Sequence, residues 1–444
     1  MAKIQTIEEV VEKGLCTGCG TCVGICPSNA VESILDKQKG VYVPHVDREI
    51  CVGCGLCYTA CPGHGVDFNE LNRFFWGELP KDITLGSYLT CYIGHAKDYE
   101  LRYNSASGGV VTALANFALE EGIINGILVT RMKNDNPLEP EPFIARTTVE
   151  ITSAAKSKYC PVPANIALKE ILQSPGNFGV VGLPCHIQGT RKAELHSKKL
   201  RDKIVLHIGI ACSRNYRFQA TENLLKKLGI SKEDVKRLDY RGKGWPGSMV
   251  IQLKDGREKS IPVREYYDKL SSFQITRCTL CSDHFCELSD LSCGDAWIPD
   301  VVKSDNIGSS FIVSRTELGE QLLKKAAAQK KLELCELNVD KLLKSQGNAL
   351  FKKKNLSARM FLFRLVGKKV PVYKQRLFKP DLSDYVSALK FYLGGHTLSG
   401  QNGLMSKIPY FIRLRKDKIT GIKNQPPTCL GGNVVSSHKD GFRK

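Results

Sequence analysis

Two stretches near the start of the chain, "CTGCGTCVGICP" (16–27) and "CVGCGLCYTACP" (51–62), repeat one pattern, C-x2-C-x2-C-x3-C-P, at an offset of 35 residues. Three thiolates at this spacing each wrap a corner of one [4Fe–4S] cube, while the fourth, carried away by the following proline, ligates the other cube. The pattern predicts one cluster on Cys16, Cys19, Cys22 and Cys61 and a second on Cys51, Cys54, Cys57 and Cys26. Gly18, Gly20, Gly53 and Gly55 let backbone N–H groups approach the sulfides and tune their potential. Structural zinc sites use two separated CxxC knuckles rather than a continuous four-cysteine run, so the cluster reading is favoured.

Residues 1–72 therefore read as a bacterial-type two-cluster ferredoxin domain suited to one-electron transfer. The chain has 18 cysteines in 444 residues. Its start, "MAKIQTIEEVVEKG", lacks the apolar core of a signal peptide, and no stretch approaches the roughly 18 apolar residues of a spanning helix. A cytoplasmic location is expected, where metal ligation explains many cysteines better than disulfides do. The net charge of +19 admits nucleic acid, an anionic membrane surface, or an acidic redox partner or cofactor tail. Basic residues cluster only in "FKKKNLSARMFLFRLVGKK" (351–369) and "YFIRLRKDKITGIK" (410–423), where they alternate with apolar ones as in a docking helix or a packed one. No nucleic-acid-binding module is recognisable, which sets DNA aside.

Residues 73–90 read as a linker, 91–337 as an α/β domain and 338–444 as a helical, basic C-terminal region. Within 91–337, helical periods over "NSASGGVVTALANFALEEG", "PANIALKEILQ", "IQGTRKAEL" and "FQATENLLKKLG" alternate with apolar runs "IINGILVTRM", "FGVVGLPC" (178–185) and "KIVLHIGIAC" (203–212). The alternation predicts βαβ units and a mixed, mostly parallel sheet. Cys185 and Cys212 each end an expected strand, at the sheet edge where open α/β folds bind ligands. "SASGG" (105–109) opens a helix with hydroxyls and free N–H groups suited to an anionic cofactor edge, or merely caps it. There is neither a GxGxxG after the first strand nor a P-loop, so a flavin would have to bind in another way.

"CTLCSDHFCELSDLSCGDAW" (278–297) places Cys278, Cys281, Cys286 and Cys293 in one run, which could close a cluster locally or supply part of a larger site. His186 follows Cys185 directly, though a lone histidine is commonly an ordinary hydrogen-bonded side chain. Asp283 and Asp295 suit either orientation of the cysteine loop or simple turn and capping roles. Cys335 and Cys429 stand isolated and read as structural or incidental.

"NSASGGVVTAL", "KSKYCPVPANIALK", "VVGLPCHIQGTRKA", "IGIAC", "DYRGKGWPGSMVIQLKDG" and the cysteine run above together resemble the coenzyme F420 hydrogenase/dehydrogenase beta-subunit family, in which a ferredoxin domain is a common fusion. The resemblance implies a flavoprotein that binds FAD beside a [4Fe–4S] cluster, with coenzyme F420 as hydride partner. It places the cluster on Cys185, Cys212, Cys278 and Cys281. It places the flavin region on Ser105, Ser107, Gly108 and Gly109, with Lys158, Tyr159 and Asn165 as further contacts. Arg241 and Lys243 would lie near the cofactors, or form a basic β-turn. Cys160, Cys286 and Cys293 depart from the family pattern, so three clusters are expected and a fourth is open. The implied function is electron exchange between reduced coenzyme F420, through FAD, and one-electron carriers: the clusters, ferredoxin, or a partner reductase or dehydrogenase subunit. The alternatives are a ferredoxin-dependent flavin reductase of another small substrate, or an electron-transfer subunit without its own substrate. Membership of a complex or homo-oligomer is expected, and no general acid or base is assigned.

Overall fold

The computed structural model describes residues 6–375, 377–397 and 429–430. The basic stretch 410–423 and the tail beyond 430 lie outside the described residues. In the N-terminal unit the two cysteine repeats adopt one local conformation. A left-handed glycine, Gly20 at φ 80° or Gly55 at φ 73°, turns the chain into a four-residue helix, Thr21–Gly24 or Leu56–Thr59. The positive φ is where glycine carries no steric penalty. An antiparallel hairpin, Val31–Asp36 with Val41–Val46, closes the unit over Ile7, Val10 and Leu15.

The large domain is built on a nine-stranded sheet. Gly126–Met132, Phe178–Gly182, Ile204–Ile210 and Leu291–Asp295 run parallel in that order. Pro140–Ala145 flanks them antiparallel on one side. On the other lie Ser310–Ser314, Thr90–Ala96, Leu332–Glu336 and Cys429–Leu430, again in antiparallel pairs. The expected mostly parallel sheet thus holds only at the centre. The link across residues 133–139 is too short for a crossover, which takes a dozen or more residues. The expected strand 178–185 stops at Gly182, because Pro184 pre-sets the first turn of the helix Pro184–His196 and carries Cys185 into it.

The expected linker instead begins in a helix, Phe68–Trp76, capped by Asp67 and burying Phe68 and Leu71 in the main core. The C-terminal region folds back over the N-terminal unit, where Val372–Tyr373 pairs with Gly65–Val66. Its helices Gly347–Lys354 and Leu356–Leu365 turn basic side chains inward. Lys353 is buried against Thr84 O, at 2.7 Å, and Glu287. Arg359 donates to Thr279 O at 2.9 Å. At these positions the basic–apolar mixture serves packing.

The N-terminal unit is seated on the large domain through small residues. Asn165 N donates to Cys19 O at 2.9 Å, and its Nδ2 reaches Thr21 Oγ1 and His186 O, both at 2.8 Å. A Cβ added at Gly24 would fall 2.0 Å from Asn165 O, and one at Gly189 would fall 2.1 Å from Thr21 Oγ1. Gly24→Ala is therefore expected to cost about 1–3 kcal/mol through overpacking. The measurement is the midpoint of anaerobic urea unfolding, and an unchanged midpoint would show that the seam yields freely.

Candidate redox site

The carboxyl ends of the parallel strands share one edge, and three of them carry site residues. Cys185 follows Gly182 in the first turn of a helix, Cys212 follows Ile210, and Asp295 closes Leu291–Asp295. Cys278 and Cys281 arrive on the short 3-10 turn Thr276–Leu280. Cys212 N donates to His284 O at 3.0 Å, and His284 Nδ1 lies 3.1 Å from Cys212 O. Those two bonds strap the strand end to the CxxC loop.

Burial, first of all, holds these thiols in the protonated form, and their mutual proximity adds to it. Cys185 is pushed well up by burial, then by Cys19, Cys212, Cys278 and Cys281. Cys281 is pushed up to about 11 by burial, with the Arg277 guanidinium opposing. Cys185, Cys212, Cys278 and Cys281 therefore sit within electrostatic reach of one another, and Cys19 of the N-terminal unit acts on Cys185 at least as strongly as they do. Thiols buried together ionise when a metal supplies the compensating charge, so the donor set fits an iron–sulfur cluster.

In the N-terminal unit, Cys16, Cys19, Cys22 and Cys61 line one small cavity with Gly18 and Gly20. Cys16 is pushed up to about 12 by burial and Cys61. Gly18 N and Gly63 N approach Cys16 Sγ and Cys61 Sγ at 3.4 and 3.2 Å. Cys57 feels burial first and, among thiols, Cys54 and Cys26. Cys26, Cys51 and Cys57 pack on one small core, whereas Cys54 is exposed. Among the described residues no three His, Cys, Asp or Glu side chains converge on a single-ion point.

The three additional cysteines lie differently. Cys160 is buried beside the Tyr240 hydroxyl, with no thiol among the groups acting on it. Cys293 is raised by burial alone. Cys286, at φ 56°, aims its thiol at Gly182 O and feels Cys212 only as the weakest of several influences. Cys160→Ala and Cys293→Ala are expected to leave iron and sulfide content unchanged in anaerobically purified protein. A loss of about four irons in either would place that thiol in a cluster.

The sequence-derived flavin positions divide. Ser105 Oγ donates to Leu101 O at 2.6 Å, Ser107 Oγ to Ser309 O at 2.9 Å, and Gly108 N to Ser310 Oγ at 3.0 Å. Gly109, at φ 74°, then opens the helix Val110–Glu120. The two serines thus fix the turn, and backbone at the helix start is what remains to meet an anion. Lys158 Nζ donates to Ala155 O and Lys156 O at 2.8 and 3.0 Å, closing the end of Thr148–Ser153, and burial brings it down to about 7. Tyr159 stands edge-on to Tyr216, Tyr240 and Tyr267. Asn165 belongs to the seam with the N-terminal unit rather than to the SASGG turn.

The buried Arg241 and the half-buried Asp295 form a bidentate pair at 2.8 and 3.0 Å, and Trp245 Nε1 donates to the same carboxylate at 2.7 Å. Lys243 turns away to Glu258 at 2.6 Å. His186 bridges Leu183 N and Val162 O, and burial brings it down to about 4, so it is a neutral structural imidazole. Asp283 accepts from Gln188 Nε2 and Glu287 N, both at 3.1 Å, and steadies the cysteine loop. Beyond Lys158, Arg241 and Lys243, two cations near the cysteines, Lys192 and Arg277, were not nominated by the sequence. Lys192 Nζ donates to Cys61 O and Gly65 O at 2.6 and 2.8 Å. Arg277 Nε donates to Gly63 O at 2.9 Å while its backbone leads into Cys278, so it ties the CxxC loop to the N-terminal unit. Only the adjacency of Arg277 to a cysteine was visible in the sequence.

Residues 91–169 match the N-terminal part, and residues 176–340 the C-terminal part, of the family described as coenzyme F420 hydrogenase/dehydrogenase, beta subunit. Residues 15–65 match a 4Fe-4S dicluster domain. The coenzyme F420 hydrogenase subunit beta of Methanothermobacter thermautotrophicus is 32% identical over 251 residues, covering 55% of this chain and 83% of that protein. The coenzyme F420-dependent sulfite reductase of Methanocaldococcus jannaschii is 27% identical over 336 residues, 71% of this chain and 46% of that protein. A chain of the F420-reducing [NiFe] hydrogenase complex from Methanosarcina barkeri superposes with a TM-score of 0.50 at 26% identity, covering 63% of this chain and 95% of that one. No helix among the described residues is long and apolar enough to cross a membrane. The chain belongs to the coenzyme F420 hydrogenase/dehydrogenase beta-subunit family and carries a 4Fe-4S dicluster domain at its N-terminal end.

Proposed function

We propose that the chain passes electrons between reduced coenzyme F420 and one-electron carriers, using FAD on the large domain and three [4Fe–4S] clusters. One observation carries this reading: Cys185 feels both the other three inner thiols and Cys19, so the inner set and the N-terminal set adjoin. Cys16, Cys19, Cys22 and Cys61 would hold the middle cluster, and Cys51, Cys54, Cys57 and Cys26 the outermost. The outermost set reaches solvent through Cys54 and Val52, the latter 69% exposed, where ferredoxin or a partner subunit would meet it.

On the inner side, the SASGG turn and the part-buried Arg241–Asp295–Trp245 group offer a rigid, polar setting for the flavin. Bound there, FAD would accept a hydride from the deazaflavin and release its electrons singly. The chain's own residues position the reactants and exclude water; none is required to move a proton. The relatives named as hydrogenase subunits support membership of a larger redox complex, and the +19 charge suits an anionic coenzyme tail.

The test is composition and bleaching of anaerobically purified protein. About twelve irons, one FAD, and loss of FAD absorbance on adding reduced coenzyme F420 are expected. Protein without flavin, or flavin that stays oxidised, would overturn the reading.

A further inference from the structure

The inner cysteine set is bordered by two buried donors that have no hydrogen-bond partner, Lys352 Nζ and Arg214 Nε, and by the neutral imidazole of His284. Arg214 follows Cys212 by two residues and His284 follows Cys281 by three. Lys352 comes from far along the chain, on the helix Gly347–Lys354. Its neighbours on that helix show what is unusual about it. Lys353 has Thr84 O and Glu287, and Lys354 is exposed. Lys352 is drawn inward to a place where the charged groups acting on it are Arg214, which repels it, and the thiols of Cys212, Cys278 and Cys281. Cys212 and Cys278 in turn each register Lys352 as a charge favouring the thiolate.

An ammonium buried without a partner is costly, so such groups persist where an anion completes them. A cluster held by four thiolates is such an anion, and it becomes more negative when it takes up an electron. We propose that Lys352 is a positioning charge for the cluster on Cys185, Cys212, Cys278 and Cys281, raising that cluster's reduction potential so that it collects electrons from the flavin side. The inference rests on the assignment of those four cysteines as ligands. Lys192 cannot play this part for the inner set, because its ammonium is committed to Cys61 O and Gly65 O.

The experiment is an EPR-monitored redox titration of the full-length chain, anaerobically purified, as wild type, Lys352→Met and Lys352→Arg, with iron counted in each. Lys352→Met is expected to lower the inner cluster's midpoint while the two N-terminal midpoints stay in place, and Lys352→Arg to hold it near the wild-type value. An unmoved inner midpoint in a fully loaded Lys352→Met overturns the proposal alone. Where Lys352→Met fails to hold the inner irons, retention by Lys352→Arg supports the role of charge, and loss in both overturns it. Wild-type protein with only about eight irons overturns the ligand assignment and the proposal with it.

Discussion

Cys212→Ser is expected to strip about four irons from the about twelve that three clusters would bring, while the signals of the two N-terminal clusters persist. Cys212 is the point where the sheet edge meets the CxxC loop, joined to His284 by bonds of 3.0 and 3.1 Å. Serine keeps that backbone geometry and removes only the soft ligand. The three remaining thiols are half-buried and held protonated by desolvation first. Three such groups would have to ionise around a cluster with an open corner. Anaerobic iron and sulfide analysis with EPR of the reduced protein decides the matter, with Cys293→Ala as the control expected to keep every iron. A Cys212→Ser protein that retains its full iron content would remove Cys212 from the ligand set. Transfer of electrons from reduced coenzyme F420 to a one-electron acceptor should fall with the inner irons, since the proposed route from flavin to Cys19 would run through them.

The sequence disclosed most where chemistry is local. The two N-terminal cysteine runs each lie within twelve residues, and their spacing alone nominates the ligands of both clusters. The inner set draws on a strand end, a helix start and a CxxC loop, so periodicity located Cys185 and Cys212 while the family resemblance joined them to Cys278 and Cys281. What separates Cys293 from that set is burial inside the strand Leu291–Asp295, which cysteine spacing does not encode. Ser105, Ser107 and Lys158 read as free polar groups in sequence, but nearby backbone carbonyls consume their donors. Lys352, Lys192 and Arg277 act across the tertiary fold, and composition could say only that positive charge was abundant. The Pro140–Ala145 flank was misread for a related reason: its direction follows from the short connection 133–139, which apolar runs do not report.

Glu194→Ala is expected to cost about 3–5 kcal/mol of stability, because it breaks a fully buried charge network. Glu194 Oε1 lies 2.6 Å from His207 Nε2, and Glu194 Oε2 accepts from Arg191 at 3.1 Å. His207 Nδ1 lies 3.2 Å from Asp290, whose carboxylate also accepts from His207 N at 2.7 Å. The four side chains join the helix that carries Cys185, the strand that leads to Cys212 and the loop before Leu291–Asp295, so they set the edge on which the inner thiols meet. Burial and Arg191 push the imidazole toward neutrality, but Glu194 and Asp290 outweigh them and its pKa is raised. Two carboxylates then balance one guanidinium and one imidazolium. A folded pKa above the unfolded value of about 6.5 means that the native state binds the extra proton. Its contribution is complete below about pH 6.5 and is lost as pH rises through the folded value. Anaerobic urea midpoints should accordingly decline from neutral toward alkaline pH. In Glu194→Gln, which removes the charge and keeps the shape, that decline should shrink. If the two proteins show the same alkaline slope, His207 is not the group responsible.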